Sequence, residues 1–479
     1  MRFQISEVQA DGHWVPLTDH RVSNSLENIF TLIVGQNAVG KSRLLRKIVS
    51  NYIFPYESRI KSSAMLENYP NNDFSRFRDQ ANRNSKQRKY FDLENDTLPY
   101  GQYLYGNNGY GFDEVRTSES SISSPSNVIA VSTGRHDRFP TAAHVRDKET
   151  IAEYRYIGTD QFSKNSISSS LISLLEGLLQ GTQNLHKLSD IFEYLGFAPY
   201  LDIKLSLDKK QYSKMKDEER HKLHATSSQY LLDFLMDEDS RINNSYFSER
   251  EFYESLKSRS KTNIELDFWD HSLGVKYNTI SELIPFLKSG LINIFDITLI
   301  SLNNKSRMRL SQASSGQQCM LTIMLGIAGA IKNGSLICID EPEISLHPQW
   351  QTNLVRQLQE VFSNFSGCHF VIATHSPQLV SGLTSNNGYV LNLEEKKLYH
   401  SFEYAKRSAD FQLAEVFHTP GQNNEYLLRI ALLLLTKLTR REELNYEDRQ
   451  NLRMLVSVRR NMSDADPVYH LIGQVEALY

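Results

Sequence analysis

Cysteine is scarce, and each of the three (Cys319, Cys338 and Cys368) stands singly among apolar neighbours. No CxxC pair and no Cys/His spacing occurs, so neither a disulfide framework nor a zinc site is expected, and a reducing cytoplasm is. Long apolar runs are missing as well. The longest, 319–331 (CMLTIMLGIAGAI) and 430–435 (IALLLL), fall short of the ~20 residues that a membrane-spanning helix needs. The opening MRFQISEVQADG carries no apolar segment behind its charge, so neither a signal peptide nor a membrane partner is expected. An excess of one charge is also absent. The 53 basic and 56 acidic residues leave a net charge of −3, so any nucleic-acid contact would have to come from a local patch. Neither sustained heptads nor a repeat of 20–50 residues is present, which excludes a long coiled coil and a solenoid.

What is present is ordinary globular material: 479 residues, 40% hydrophobic and 23% charged, enough for a large core in two or three domains or one large α/β domain with insertions. The run 29–34 (IFTLIV) reads as a strand buried on both faces, and a helix follows with Leu44, Leu45, Ile48 and Val49 on one side. From about 55 to 127 the chain is rich in Asn, Ser, Tyr, Arg and Gly and reads as an irregular insertion. Within it, 76–90 is basic, with Arg76, Arg78, Arg83, Lys86, Arg88 and Lys89 near Phe74, Phe77 and Tyr90. Such interleaving suits nucleic acid, although a solvated loop is the commoner use. A buried strand returns at 127–131, and helical spacing dominates about 160–295. Strands are predicted at 296–302, 335–339 and 369–373, a helix at about 349–363, and a helical tail over 401–479.

Four motifs carry chemistry. Gly35-Gln36-Asn37-Ala38-Val39-Gly40-Lys41-Ser42 fits GxxxxGK[ST] between a strand and a helix. There the glycines let backbone N–H groups wrap a phosphate, Lys41 reaches the β- and γ-phosphates, and Ser42 holds Mg²⁺. The apolar run 336–339 ends in Asp340-Glu341, placing one carboxylate at the metal and the next at the attacking water. Ser314-Ser315-Gly316-Gln317 precedes the apolar helix after 318 and offers a hydroxyl and an N–H to phosphate at a helix N-terminus; a plain helix cap is the other reading. Finally, 370–373 ends in Thr374-His375-Ser376, a core strand running into a His that resembles the H-loop, and the resemblance implies that His375 contacts the γ-phosphate.

Together the motifs resemble the ABC-type ATPases, and more closely their soluble branch with the SMC/Rad50 proteins and the overcoming-lysogenization-defect nucleases. Residues 341–348 (EPEISLHP) resemble that branch's E-P-E-x-x-L-H-P, with His347 where transporters have an aspartate. Residues 129–139 and 154–158 resemble segments of the PtuA ATPases of Septu and retron-linked antiphage defence. The resemblance implies a P-loop α/β core over 1–400 with large helical insertions, ATP and Mg²⁺ as ligands, and a helical C-terminal tail. It also implies two subunits sandwiching two ATP molecules, the signature of one completing the P-loop site of the other. An HNH-type nuclease partner of the PtuB kind, DNA, and a retron reverse transcriptase with its DNA are implied as partners. Gln161 is the candidate for the family's γ-phosphate-sensing glutamine.

Other classes are weighed on residues. A repair ATPase of the SMC/Rad50 type needs a long heptad insertion, which 43–312 lacks. A nuclease with its own TOPRIM domain needs a Glu and a DxD at strand ends. Asp464-Ala465-Asp466 has no apolar strand before it and is expected to open a helix. A transporter ATPase would need separate membrane subunits.

Overall fold

The computed structural model describes residues 2–10, 12–19, 26–36, 39–54, 115–117, 124–133, 139–140, 152–158, 166–179, 185–215, 217–227, 229–236, 249–268 and 272–479. The basic stretch 76–90 and Gln161 lie outside them.

The centre is a seven-stranded sheet in the order Lys397–His400, Gly388–Asn392, Ile29–Val34, His369–Ala373, Leu336–Asp340, Val128–Ser132, Tyr154–Ile157. Every neighbouring pair is parallel except the edge hairpin of 388–392 with 397–400. Five of these strands are buried at every residue, which is why they read as unbroken apolar runs. Alternate residues feed two cores. Phe30, Leu32, Ile337, Ile339 and Phe370 pack on one face; Ile33, Leu336, Cys338 and Val371 pack on the other.

The helix Lys41–Ile53 and a small antiparallel sheet (Ile5–Ala10, His13–Pro16, Val115–Thr117) belong to the second core. The helix Ser315–Ala328, buried along nearly its whole length, belongs to the first. It packs on Ser166–Leu179, where Ser170 Oγ donates to Thr322 O at 2.7 Å and Ser173 Oγ to Gly326 O at 3.0 Å. A Cβ on Gly329 would lie 2.2 Å from the Ser173 carbonyl carbon, so only glycine allows this approach.

The segment expected to be helical, about 160–295, is helical only in part. It contributes three strands to a five-stranded antiparallel sheet ordered Arg307–Arg309, Ile292–Ile300, Tyr200–Leu207, Lys261–Asp267, Ser272–Leu273. Along Tyr200–Leu207 the buried residues Leu201, Ile203, Leu205 and Leu207 alternate, a period-two pattern hidden among neighbouring helices. The insertion read as irregular likewise gives one short strand, Val115–Thr117, to the N-terminal sheet. After Ser401 the chain is helical, and Glu425–Thr439, Tyr446–Arg459 and Pro467–Leu478 share a core of their own. Asp466 caps the last helix: Oδ1 accepts from Val468 N at 2.9 Å and Oδ2 from Asn423 N at 3.0 Å, so the second acid of the DxD serves a helix start. Among the described residues no helix is long and apolar enough to cross a membrane.

One buried histidine ties the N-terminal sheet to the centre. Ile5 N donates to His369 Nδ1 at 3.2 Å, so His369 Nε2 carries the proton and donates to Thr31 Oγ1 at 3.0 Å. Thr31 in turn donates to Leu17 O at 2.8 Å. Burial, with Arg2 adding to it, pushes His369 down to about 3. Its folded-state value lies below its unfolded one, so the stability it contributes is complete above about pH 6.5 and lost as pH falls from there towards 3. Unfolding free energy from urea titrations should therefore decline towards acid by up to about 1.4 kcal/mol per pH unit more in wild type than in His369→Gln. Equal slopes in the two proteins would refute this account.

Candidate nucleotide site

Three parallel strands end side by side, because Asp340 is in register with Ala373 and Ala373 with Ile33. Strand ends from distant parts of the chain thus share one sheet edge, where α/β proteins bind ligands. From the strand Ile29–Val34 the chain turns through Gly35 (φ 155°) and Gly40 (φ 104°), both in the left-handed region that favours glycine. Asn37 and Ala38 lie outside the described residues; Gln36 and Val39 are on the loop. Lys41 opens the helix, and its ammonium folds back onto the loop, donating to Gly35 O at 2.7 Å and Gln36 O at 3.0 Å. Burial pushes its proton affinity below lysine's usual range, against the pull of Glu341, Glu343, Asp340 and Glu394.

Ser42 Oγ donates to Asp340 Oδ1 at 3.1 Å. Two hard oxygen donors are therefore adjacent beside the helix N-terminus. That fits Mg²⁺, which takes one or two protein oxygens and fills its octahedron with water and phosphate. Among the described residues no group of three or more His, Cys, Asp or Glu side chains could hold a metal by itself.

Glu341 has φ 45°, a left-handed conformation for a residue with a side chain. It is pinned there from two sides: its N–H donates to Ala373 O at 3.0 Å, and its carbonyl accepts from Thr133 Oγ1 at 3.2 Å. The side chain stays about one-third exposed. His375 Nδ1 is 3.9 Å from Glu341 Oε1 and 3.1 Å from Glu343 Oε1. P-loop, Asp340, Glu341 and His375 thus form one cluster.

The signature residues are held elsewhere. Ser314 and Gln317 cap the helix reciprocally: Gln317 N donates to Ser314 Oγ at 3.3 Å, and Ser314 N donates to Gln317 Oε1 at 2.9 Å. Gln317 Nε2 also donates to Leu195 O at 2.8 Å. Ser315 is exposed, whereas Gly316 is buried against Trp350, whose ring carbons would lie 2.6 Å and 2.7 Å from a Cβ there. The cap reading is therefore satisfied in the single subunit. His347 caps the helix Pro348–Val361, its Nδ1 accepting from Gln349 N at 3.4 Å.

Two acids at this site escaped sequence reasoning. Glu394 Oε1 accepts from Gln36 N at 2.6 Å, fastening the P-loop to the end of the strand Gly388–Asn392. Its only signal was a pair of acids after an apolar run. Glu343 stands in the E-P-E run, but nothing in the spacing showed its contact with His375.

This fold and edge define a P-loop ATPase of the ABC type. A family profile described as "AAA ATPase domain" (AAA_15) matches residues 17–380, and the chain belongs to that family. It is similar to the "Retron Ec83 probable ATPase" of Escherichia coli, 28% identical over 111 residues, which are 21% of this chain and 20% of the relative. It is also similar to the "Retron Vc95 probable ATPase" of Vibrio cholerae serotype O1 biovar El Tor, 31% identical over 108 residues, 20% of each chain. The matched region thus spans about a fifth of the length of these relatives. A solved structure, "Crystal structure of Stu0660 of Streptococcus thermophilus", aligns over 100% of this chain and 93% of that one at 12% identity with a TM-score of 0.29.

Proposed function

We propose that this chain is the ATP-binding and ATP-hydrolysing subunit of an antiphage defence complex, in which it controls a separate HNH-type nuclease acting on DNA. The observation that carries the hydrolytic part is the shared strand edge, where Lys41, Asp340, Glu341 and His375 converge. The names of the two similar proteins support a retron setting. P-loop amides and Lys41 hold the phosphates. Ser42 and Asp340 hold Mg²⁺, which when bound supplies neutralising charge to the phosphates. Glu341 takes the proton of the attacking water, and His375 faces the terminal phosphate. Two subunits close over nucleotide through the signature Ser314, Ser315, Gly316 and Gln317, an arrangement of the PtuA kind from Septu or retron systems. The antiparallel sheet and short helices described within 166–309 give no support to a coiled-coil repair ATPase.

A two-armed experiment tests this. Gly316 is unsuitable for probing the signature because any side chain strikes Trp350. Ser315 is exposed, so Ser315→Glu sets a carboxylate at the helix N-terminus without a clash. It should leave Mg-ATP affinity unchanged within about twofold while abolishing ATP-dependent closure, since a ligand shifts association only by its differential affinity for the closed state. In the second arm, plasmid stays intact with the chain alone and is cut when an HNH-type nuclease subunit is added. Normal closure by Ser315→Glu would reduce 314–317 to a helix cap. Plasmid cleavage by the chain alone would remove the separate nuclease from the proposal.

A further inference from the structure

The E-P-E run leaves its second acid without a task. Glu343 is 4% exposed, yet its Oε1 accepts from Thr374 Oγ1 at 2.8 Å and His375 N at 2.7 Å, and the His375 ring nitrogen Nδ1 lies 3.1 Å from the same oxygen. Its Oε2 is buried without a hydrogen-bond partner. A buried carboxyl with one oxygen unsatisfied is costly, so it persists only where its other oxygen does something an apolar residue cannot. Gln351 braces the same corner, its Nε2 donating to Leu346 O at 2.9 Å while its Oε1 accepts from Ser376 Oγ at 2.6 Å.

We infer that Glu343 is the positioning residue of the hydrolytic site: it fixes the His375 imidazole with the proton on Nδ1 and leaves Nε2 as the nitrogen offered to the nucleotide. Oε1 already accepts from a hydroxyl and a backbone amide. A proton on this carboxyl would therefore sit on the unpartnered Oε2, and with Oε1 an acceptor in either state a bare Nδ1 lone pair would face another lone pair at 3.1 Å, which favours the proton on Nδ1. Glu341 does not compete for the ring, since at 3.9 Å from Nδ1 it is beyond hydrogen-bond length. Without Glu343 the ring, 44% exposed, would lose the nearest carboxylate among its described contacts. Anchoring the backbone N–H and the ring with one oxygen fixes position and tautomer together, the device by which histidines in reactive sites are set.

The inference rests on the hydrolytic reading of His375, so the experiment has one readout that does not depend on turnover. Imidazole nitrogen–proton correlation spectra at about pH 8, where free histidine is neutral, assign the His375 ring by its loss in His375→Gln. Wild type should show the Nδ1–H tautomer, and Glu343→Ala the Nε2–H form that free imidazole side chains prefer. In ATP turnover Glu343→Ala should lose about tenfold to a hundredfold in kcat with KM nearly unchanged. Glu343→Gln, whose amide oxygen still accepts from Nδ1–H, should recover most of that loss and guards against a mere folding defect. The double variant Glu343→Ala/His375→Gln should be no slower than His375→Gln, because Glu343 acts through the ring. An Nε2–H tautomer in wild type, or losses that multiply in the double variant, would overturn the inference. Absence of turnover in wild type would count against the hydrolytic reading, and the spectra would still decide on Glu343.

Discussion

Glu341→Gln should bind Mg-ATP as wild type does and release phosphate about a hundredfold to ten-thousandfold more slowly, the range spanned by removal of a general base. Two features make the separation clean. The backbone of Glu341 is held in its left-handed conformation by Ala373 O and Thr133 Oγ1, through hydrogen bonds that involve its N–H and carbonyl alone. The carboxylate itself is one-third exposed and lies 3.9 Å from His375, so exchanging it for an amide breaks no short hydrogen bond among those described. Equilibrium nucleotide binding and single-turnover phosphate release measure the two halves. A turnover rate equal to wild type would remove Glu341 from the chemistry.

Lys41→Ala should fail at the earlier step, losing about 30-fold to 1,000-fold in affinity for ATP. The loss corresponds to about 2–4 kcal/mol for a desolvated charge-assisted contact. Lys41 is 4% exposed and its ammonium lies among the carboxylates of Glu341, Glu343, Asp340 and Glu394. Removing it would delete the proposed phosphate ligand and leave four nearby acids without that cation, so the melting temperature should fall in the same variant. Lys41→Arg should not restore binding: the Nζ atom sits between two loop carbonyls at 2.7 Å and 3.0 Å, a place for a compact ammonium rather than a planar fork. Calorimetric titration with ATP and with ADP reads the effect, and near-normal affinity for both would contradict the assignment.

How much of this was legible depended on whether the signal was local. The strands ending at Val34, Asp340 and Ala373 announce themselves because sheet burial on both faces demands uninterrupted apolar residues. The motifs 35–42 and 340–341 are each contiguous in sequence, and their described members lie together at one strand edge. His375 was legible for the same reason, as the residue beyond a core strand. The two antiparallel sheets were less so. His13–Pro16 and Val115–Thr117 are too short for a period to register, and Tyr200–Leu207 alternates among helical neighbours. Glu343 and Glu394 were illegible in principle, since each acts on a partner brought near only by folding, 32 residues away for His375 and 358 for Gln36.

The order of strands in the central sheet has a consequence for the chain as it leaves the ribosome. Thr31 and His369, bonded in adjacent strands, are 338 residues apart. At translation rates of about 5–20 residues per second, the P-loop strand waits roughly 20–70 s for its first sheet neighbour. Its other neighbour, Gly388–Asn392, emerges later still. Through that interval IFTLIV is a six-residue segment without charge, proline or glycine, the composition that joins other nascent chains edge to edge. The helix Lys41–Ile53 and the strand Ile5–Ala10 precede or closely follow it and bury the same core, so they are the shelter available to it early. A chain that stops short of residue 369 leaves both edges of that strand unpaired, so premature termination should yield aggregate rather than a smaller soluble ATPase.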